Sequence, residues 1–403
     1  MNNSSNPARL GRTASLWLLG TVLVAYLAAS SAPSPLYAIY REMWGFSAFV
    51  LTIVFASYAF ALLGGLLVFG ALSDFLGRRP VIMLSLVLEI GALLLFRHAF
   101  SVESLIAARL LQGLATGIAT SAVSAALIDV DQVRGSLLTS TAPMLGMASG
   151  ALGASVLVQF APAPTELVYD VLLLVFALQL VGTWFLPETV IRRAGALRSL
   201  LPRIAIAPQA RATMLQVLPV NTAQWALGGF YLSLGPAVAR AVTGRDWPVI
   251  GGAAIAALVL PSAVAILLLR QRPPGVVLRL GAAVLAAGLA ITLAAIAMSS
   301  ASGYFIGTVI AGLGFGAAFN GSLRSLVALA APRERGELMA GFFTFSYLAF
   351  SIPAILAGLA VGRFGLQHAS LGFGIILLAM VLLAVARLGA VATPAGAKPV
   401  PHR

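Results

Sequence analysis

Apolar runs of about 20 residues, separated by short polar breaks, recur along the whole chain of 403 residues. That is the length an α-helix needs to cross a hydrocarbon core. Hydropathy predicts twelve such helices, near 14–38, 47–72, 80–97, 103–128, 136–159, 167–187, 213–239, 248–269, 276–297, 303–329, 338–361 and 369–388. The ten-residue alternation of an outer-membrane barrel is absent. The first run, Thr13 to Ala32, exceeds a signal-peptide core and further spans follow it, so it reads as a retained helix. It leads into Pro33 and Pro35, which remove backbone donors and predict a bend at its outer end. Between the second and third runs lies Gly70 to Pro80, GALSDFLGRRP. Lipid offers its polar backbone no partners, so this stretch is a tight turn at a water interface.

Composition sharpens the pattern. The chain is 60% hydrophobic and 9% charged with a mean hydropathy of +1.00, against roughly 25% charged for a soluble domain. Its net charge of +13 is dispersed among loops instead of clustered, which argues for topology and against nucleic acid. With both termini placed inside, inner segments hold 18 of the 25 Lys and Arg, outer loops hold five, and Arg109 and Arg324 lie within spans. This positive-inside bias predicts cytoplasmic termini in a bacterial-type inner membrane. The longest inner connection, Thr189 to Ala212, carries Arg192, Arg193, Arg198, Arg203 and Arg211 without an acid and divides the chain near its middle. The expected organisation is a bundle of six helices over 1–188, a linker over 189–212 and a second six-helix bundle over 213–403 with a short inner tail.

Cysteine is absent, and His98, His368 and His402 fall at span edges or in the tail. Neither a thiol metal site nor a buried His constellation is therefore expected, and an intramembrane hydrolase has no Ser-His pair at depth. The small-residue runs Gly312 to Gly316 and Gly146 to Gly153 follow no strand and lie in apolar spans, where glycine serves helix packing. A Walker loop needs Gly-Lys-Ser/Thr, and the sole Lys398 precedes Pro399. The expectation is a non-enzyme without cofactor or metal, driven by an ion gradient or working downhill. A shift of about 201 residues lays Gly70–Arg79 on Gln271–Leu280 and Arg134-Gly135 on Arg335-Gly336, the mark of two similar halves, although Arg-Gly pairs also recur by chance.

Gly70, Leu72, Ser73, Asp74, Gly77, Arg78 and Arg79 resemble the signature loop of the major facilitator superfamily between its second and third helices. Phe75 replaces the basic residue usual after the Asp. Arg109, Gln112 and Gly113 resemble the family's R-x-x-Q-G motif, and Pro187-Glu188-Thr189 the tripeptide that commonly closes helix six. The fifth helix carries Ala142, Gly146, Gly150 and Gly153, a diluted form of the motif of proton-coupled exporters, with Met147 in place of its Pro. The resemblance implies an all-α membrane protein of twelve helices in two pseudo-symmetric bundles. It also implies a monomeric transporter, in contact with lipid, that works by alternating access and exports small amphipathic compounds by proton antiport, similar to multidrug efflux members. Uptake or metabolite exchange is the alternative, and a non-transporting sensor is the less favoured third.

Three groups of candidate residues follow. Gly70, Asp74, Gly77, Arg78 and Arg79 are expected to form a gate whose charges bond across the joint between halves, against the alternative of a solvated loop. Asp74→Asn should then impair cycling without unfolding. Glu89, the one acid deep in a span, lies roughly 13 Å into the third helix, a depth Arg109 shares from the opposite side. A buried charge is expensive unless paired, so the two are expected to meet, either as a static pair or as a proton-coupling site to which Asp74 contributes. Tyr26, Gln112, Asn221, Gln224, Trp225 and Asn320, with Ser30 and Thr116, are expected to line the substrate cavity or to serve as polar glue between helices. Arg324 is expected to snorkel to the inner face.

Overall fold

The structure is a computed structural model that describes residues 9–202, 204–331 and 334–390. Arg203, Arg333, Lys398, His402 and the inner tail lie outside the described residues. All regular structure among the described residues is helical. The spans are α1 (Arg12–Ser31, continued as Pro33–Trp44), α2 (Ala48–Phe69), α3 (Arg78–Arg97), α4 (Val102–Val130), α5 (Gln132–Phe160) and α6 (Pro164–Trp184). The second set is α7 (Pro208–Ser233, continued as Gly235–Thr243), α8 (Pro248–Leu269), α9 (Pro274–Ala297) and α10 (Ala301–Val327). The final element, Arg335–Ala390, holds α11 and α12 and is divided at Gly365, whose φ of 77° suits a residue without a Cβ.

Ten of these elements are long and apolar enough to cross a membrane. The count reaches the expected twelve because Gly365 splits one of them and because α7 spans despite Arg211, Asn221 and Gln224 along its length. The bend expected in α1 falls at Ala32, just before Pro33, and α7 breaks in the same way at Leu234. Both continuations end on a left-handed glycine, Gly45 at φ 65° and Gly244 at φ 64°, 199 positions apart (45 to 244). The structural repeat therefore runs at 199 residues within the helices, two fewer than the offset read from the loops.

Close backbone approaches repeat at the same spacing. A Cβ on Gly113 or Gly117 of α4 would come within 2.4 Å of the α2 backbone, and one on Gly312 or Gly316 of α10 within 2.3 Å of the α8 backbone. The glycine-rich faces are thus packing surfaces, as the sequence suggested for Gly312 to Gly316. Gly146 and Gly150 of α5 likewise lie against the backbone of α1 at Val24 and Ala28.

The face carrying the basic loops is here termed inner. On the opposite, outer side the halves are in contact: a Cβ on Gly358 of α11 would lie 2.4 Å from Thr52 of α2, and one on Gly252 of α8 would lie 2.1 Å from Ser155 of α5. On the inner side α2 and α11 part around a cavity of about 750 Å³, lined by Leu66, Gly70, Asp74, Phe75, Glu337 and Phe343 among others. The molecule is closed outside and open inside.

Candidate functional site

The first site is built by the break in α1. Pro33 has no N–H, so the carbonyl of Ala29 lacks its usual helical donor four residues on. Gln112 Nε2 of α4 donates to that carbonyl at 3.1 Å and to Glu89 Oε1 of α3 at 3.1 Å. Gln112 Oε1 accepts from Arg109 Nη1 at 2.7 Å. Arg109 Nη1 also donates to the carbonyl of Ser30 at 2.9 Å, and its Nε to the Tyr37 hydroxyl at 2.8 Å. The rings of Tyr37, Tyr58 and Phe96 lie 5.4–5.5 Å from the guanidinium carbon. Glu89, Arg109 and Gln112 are wholly buried, and Glu89 Oε2 has no hydrogen-bond partner among the described residues.

The expected direct pair of Glu89 with Arg109 is replaced by this relay. Arg109 bonds the Ser30 carbonyl and Tyr37 beside the break in α1, and Gln112, three residues on and on the same helical face, takes the carbonyl that Pro33 frees and spans the gap to the carboxylate. A second correction concerns Tyr26. Its hydroxyl donates to Ser85 of α3 at 2.9 Å and its ring meets Phe176 of α6 edge-on at 5.1 Å, so it packs within the first half, away from the inner cavity. Thr116 turns its hydroxyl onto the Gln112 carbonyl, and Ser30 onto that of Leu27.

The second half presents rings. Trp225 of α7 is surrounded by Tyr347 at 5.0 Å, Phe350 at 5.8 Å, Phe319 at 6.2 Å and Phe343 at 6.4 Å, all edge-on. Phe343 also lines the inner cavity, which therefore reaches this cluster. Asn221 donates to Ser346 at 2.9 Å and Gln224 donates to Asn221 at 3.3 Å, the polar-glue arrangement. Gln224 Oε1 and the Trp225 indole N–H lack partners among the described residues. Asn320 is half-buried on α10 next to Phe319. Arg324 does not fully snorkel: it is half-buried, with Nη1 enclosed and lacking a partner among the described residues.

Between these sites, Phe55, Tyr58, Ala59 and Leu62 of α2 pack with Ile255 of α8 and Phe350 and Ala354 of α11. Phe55 and Phe350 meet at 5.0 Å across the two halves. Tyr58 belongs to this seam while its ring faces Arg109. The tyrosines and phenylalanines of the seam were hidden in the sequence, because an aromatic in an apolar run looks the same whether it faces lipid, a cation or a cavity.

At the inner end, Gly77 turns at φ 101° and the Glu188 carboxylate caps α3, accepting from the backbone N–H of Arg78 at 2.8 Å and of Arg79 at 3.1 Å. Arg78 pairs with Asp74 and with Asp129 at 3.0 Å and donates to Ser73 at 2.7 Å. Arg79 donates to the Trp184 carbonyl at 3.2 Å. The expected bonds across the joint are therefore not made in this arrangement: every partner lies in the first half, and Asp74 faces Gly336 and Glu337 of α11 only across the cavity. Phe75, the departure from the signature, anchors the linker, whose Arg193 N–H donates to the Phe75 carbonyl at 3.0 Å while Gly195 packs on its ring.

A family model described as "Sugar (and other) transporter" matches residues 11–193. Among solved structures, the nucleoside transporter NupG superposes with a TM-score of 0.69 at 12% identity, over 94% of this chain and 100% of that one. The fold is that of the major facilitator superfamily. No curated protein sequence matches the chain. In this major facilitator fold, the relay on α1, α3 and α4 and the ring cluster on α7, α10 and α11 lie on the two sides of the seam between halves.

Proposed function

We propose that the chain is a secondary transporter that takes up a small uncharged solute with a planar aromatic part, together with a proton, by alternating access across a cell membrane. The ring cluster around Trp225 carries this reading. Its edge-on rings, the free indole N–H and the free Gln224 carbonyl suit a flat, polar-edged, neutral molecule. The four rings that surround Trp225 are themselves uncharged. A nucleoside fits this description, in keeping with the name of the NupG transporter and the sugar-transporter model.

Glu89 supplies the proton site. Its Oε2 has no hydrogen-bond partner among the described residues, and Gln112 links its Oε1 to Arg109 and to the Ala29 carbonyl, so a change at the carboxyl would be communicated along those bonds to the α1 break. Glu89 is enclosed in the first half, and Tyr58 of the seam stands between the relay and the rings, so proton and cargo would occupy different groups. Separate sites permit joint occupancy, which supports symport over antiport. Of the α5 glycines that resemble the exporter motif, Gly146 and Gly150 pack on α1.

Asp74, Arg78 and Arg79 are assigned to the inner gate: closure would bring Asp74 against the start of α11. The basic face is assigned to the cytoplasm, with the chain working as a monomer in lipid.

The test is uptake of radiolabelled uridine by proteoliposomes. An outside-acid gradient should drive accumulation, a protonophore should abolish it, and Trp225→Ala should raise KM at least ~10-fold while leaving the protein folded. Accumulation that rises when the gradient is collapsed would establish export instead.

A further inference from the structure

The outer seam contains a small void of about 30 Å³ lined by Ser34, Tyr37, Arg41, Ser233, Pro236 and Arg240 among others. Arg41 comes from the first half and Arg240 from the second, each four residues before its left-handed glycine. They are therefore equivalent under the 199-residue repeat (41 to 240), and closing the outer mouth brings two like charges to one void. Like charges at a closed joint repel unless something of opposite sign lies between them. Protein groups supply little of that. Arg41 has no carboxylate within ion-pairing distance among the described residues, its Nε donating to the Phe46 carbonyl at 3.3 Å. Arg240 has only Asp246, at 3.6 Å, whose side chain is 92% exposed.

A further observation points into the same void. Ser34 is buried at 3% exposure, and its hydroxyl has no hydrogen-bond partner among the described residues. Pro35, Pro236 and Pro248 in the wall bring no backbone N–H. The lining thus offers guanidinium and hydroxyl donors around a space for one water-sized occupant.

We propose that this void binds a single small monovalent anion, of chloride size, between Arg41 and Arg240 with the Ser34 hydroxyl as third donor, and that the anion holds the outer mouth closed. Residues of both halves line it, Arg41 from an exposed rim and Arg240 half-buried, so its binding free energy belongs to the closed arrangement. Tyr37 lines the void and accepts from Arg109 with its hydroxyl, so the occupant borders the buried relay through one ring. Loss of the anion would leave two facing cations and favour opening outward.

The test needs no transport and so stands apart from the uptake reading. The purified full chain is melted in sodium chloride and in sodium gluconate at equal ionic strength, gluconate being too large for the void. The wild-type midpoint should rise by ~2 °C or more in chloride. Arg240→Gln and Arg41→Gln should each remove that difference, and Ser34→Ala, which keeps both cations, should reduce it. Crystals grown in bromide should show an anomalous peak between the two arginines. Equal wild-type midpoints in the two salts, a difference that survives in both arginine variants, or an ordered water in place of bromide would overturn the proposal.

Discussion

The two halves share one scaffold and use its third-to-fourth helix contact in opposite ways. In the first half Glu89 of α3 meets Gln112 of α4 through a hydrogen bond. Their counterparts at the 199-residue spacing are Gly288 of α9 and Ala311 of α10, which also touch: a Cβ on Gly288 would lie 2.1 Å from the Ala311 backbone nitrogen. Arg109 corresponds to Thr308, which shares a 2.7 Å hydrogen bond with Tyr231. The second half therefore closes the same joint by backbone proximity, with no charge at all. Since the architecture is satisfied by Gly and Ala, the charged relay of the first half is not required by the fold. Burying it costs solvation free energy, and that cost makes sense where the group has a task.

The comparison can be broken most forcefully at Arg109. Arg109→Leu leaves Glu89 buried without compensation and should lose ~4 kcal/mol of stability in chemical unfolding. The double variant Arg109→Leu/Glu89→Gln should recover at least ~1 kcal/mol of this, whereas simple additivity would show that Gln112 does not couple the two charges. In the second half, at the position equivalent to Glu89, Gly288→Leu should cost ~3 kcal/mol by forcing α9 from α10, read from the melting midpoint. The polar loss in the first half should thus exceed the steric one in the second, and near-normal stability of Arg109→Leu would show that Glu89 does not depend on Arg109 for compensation.

A smaller effect, ~1–2 kcal/mol, is expected for Gly77→Ala, because Gly77 sits at φ 101° and its new Cβ would press on the Glu188 carboxylate at 2.5 Å. Normal melting of that variant would mean that the cap on α3 is loose. The smallest effect lies at Asp131, which caps α5 by accepting from the N–H groups of Val133 and Arg134. The Arg134 N–H, and then the Arg12 charge, hold its carboxyl below the ordinary carboxylate range. A depressed folded value means stability that is present above the unfolded value and lost as pH falls through the folded one. Stability should therefore decline on acidification below about pH 4, and Asp131→Asn should flatten that part of the profile. At the loop offset of 201 residues its counterpart in the sequence is Pro332, which has no carboxylate to contribute such a slope.

Much of this was legible in the chain. Twelve spans followed from hydropathy, and α8 falls at 248–269 as expected. The shared depth of Glu89 and Arg109 followed from helical rise, and both are buried near one another. The relay through Gln112 did not follow, because it depends on which carbonyl Pro33 frees and how far each side chain reaches. Tyr26 was misplaced for a related reason: in α1, apolar on nearly every side, no periodicity tells the cavity face from the face toward α3 and α6. The signature loop was recognisable, but whether Asp74 bonds across the joint depends on which side of the molecule is open.

The sequence by itself determined that this is a twelve-helix membrane chain with basic loops on one face, because lipid imposes length and hydropathy on every span regardless of its neighbours. It also determined the breaks in backbone donation at Pro33 and the glycine-lined faces. Only the tertiary structure decided which of the few polar groups meet: Gln112 between Glu89 and Arg109, Trp225 among four rings, Arg41 opposite Arg240. Those encounters are set by helix rotation and by contact between halves distant in sequence, which side-chain packing fixes and hydropathy does not encode.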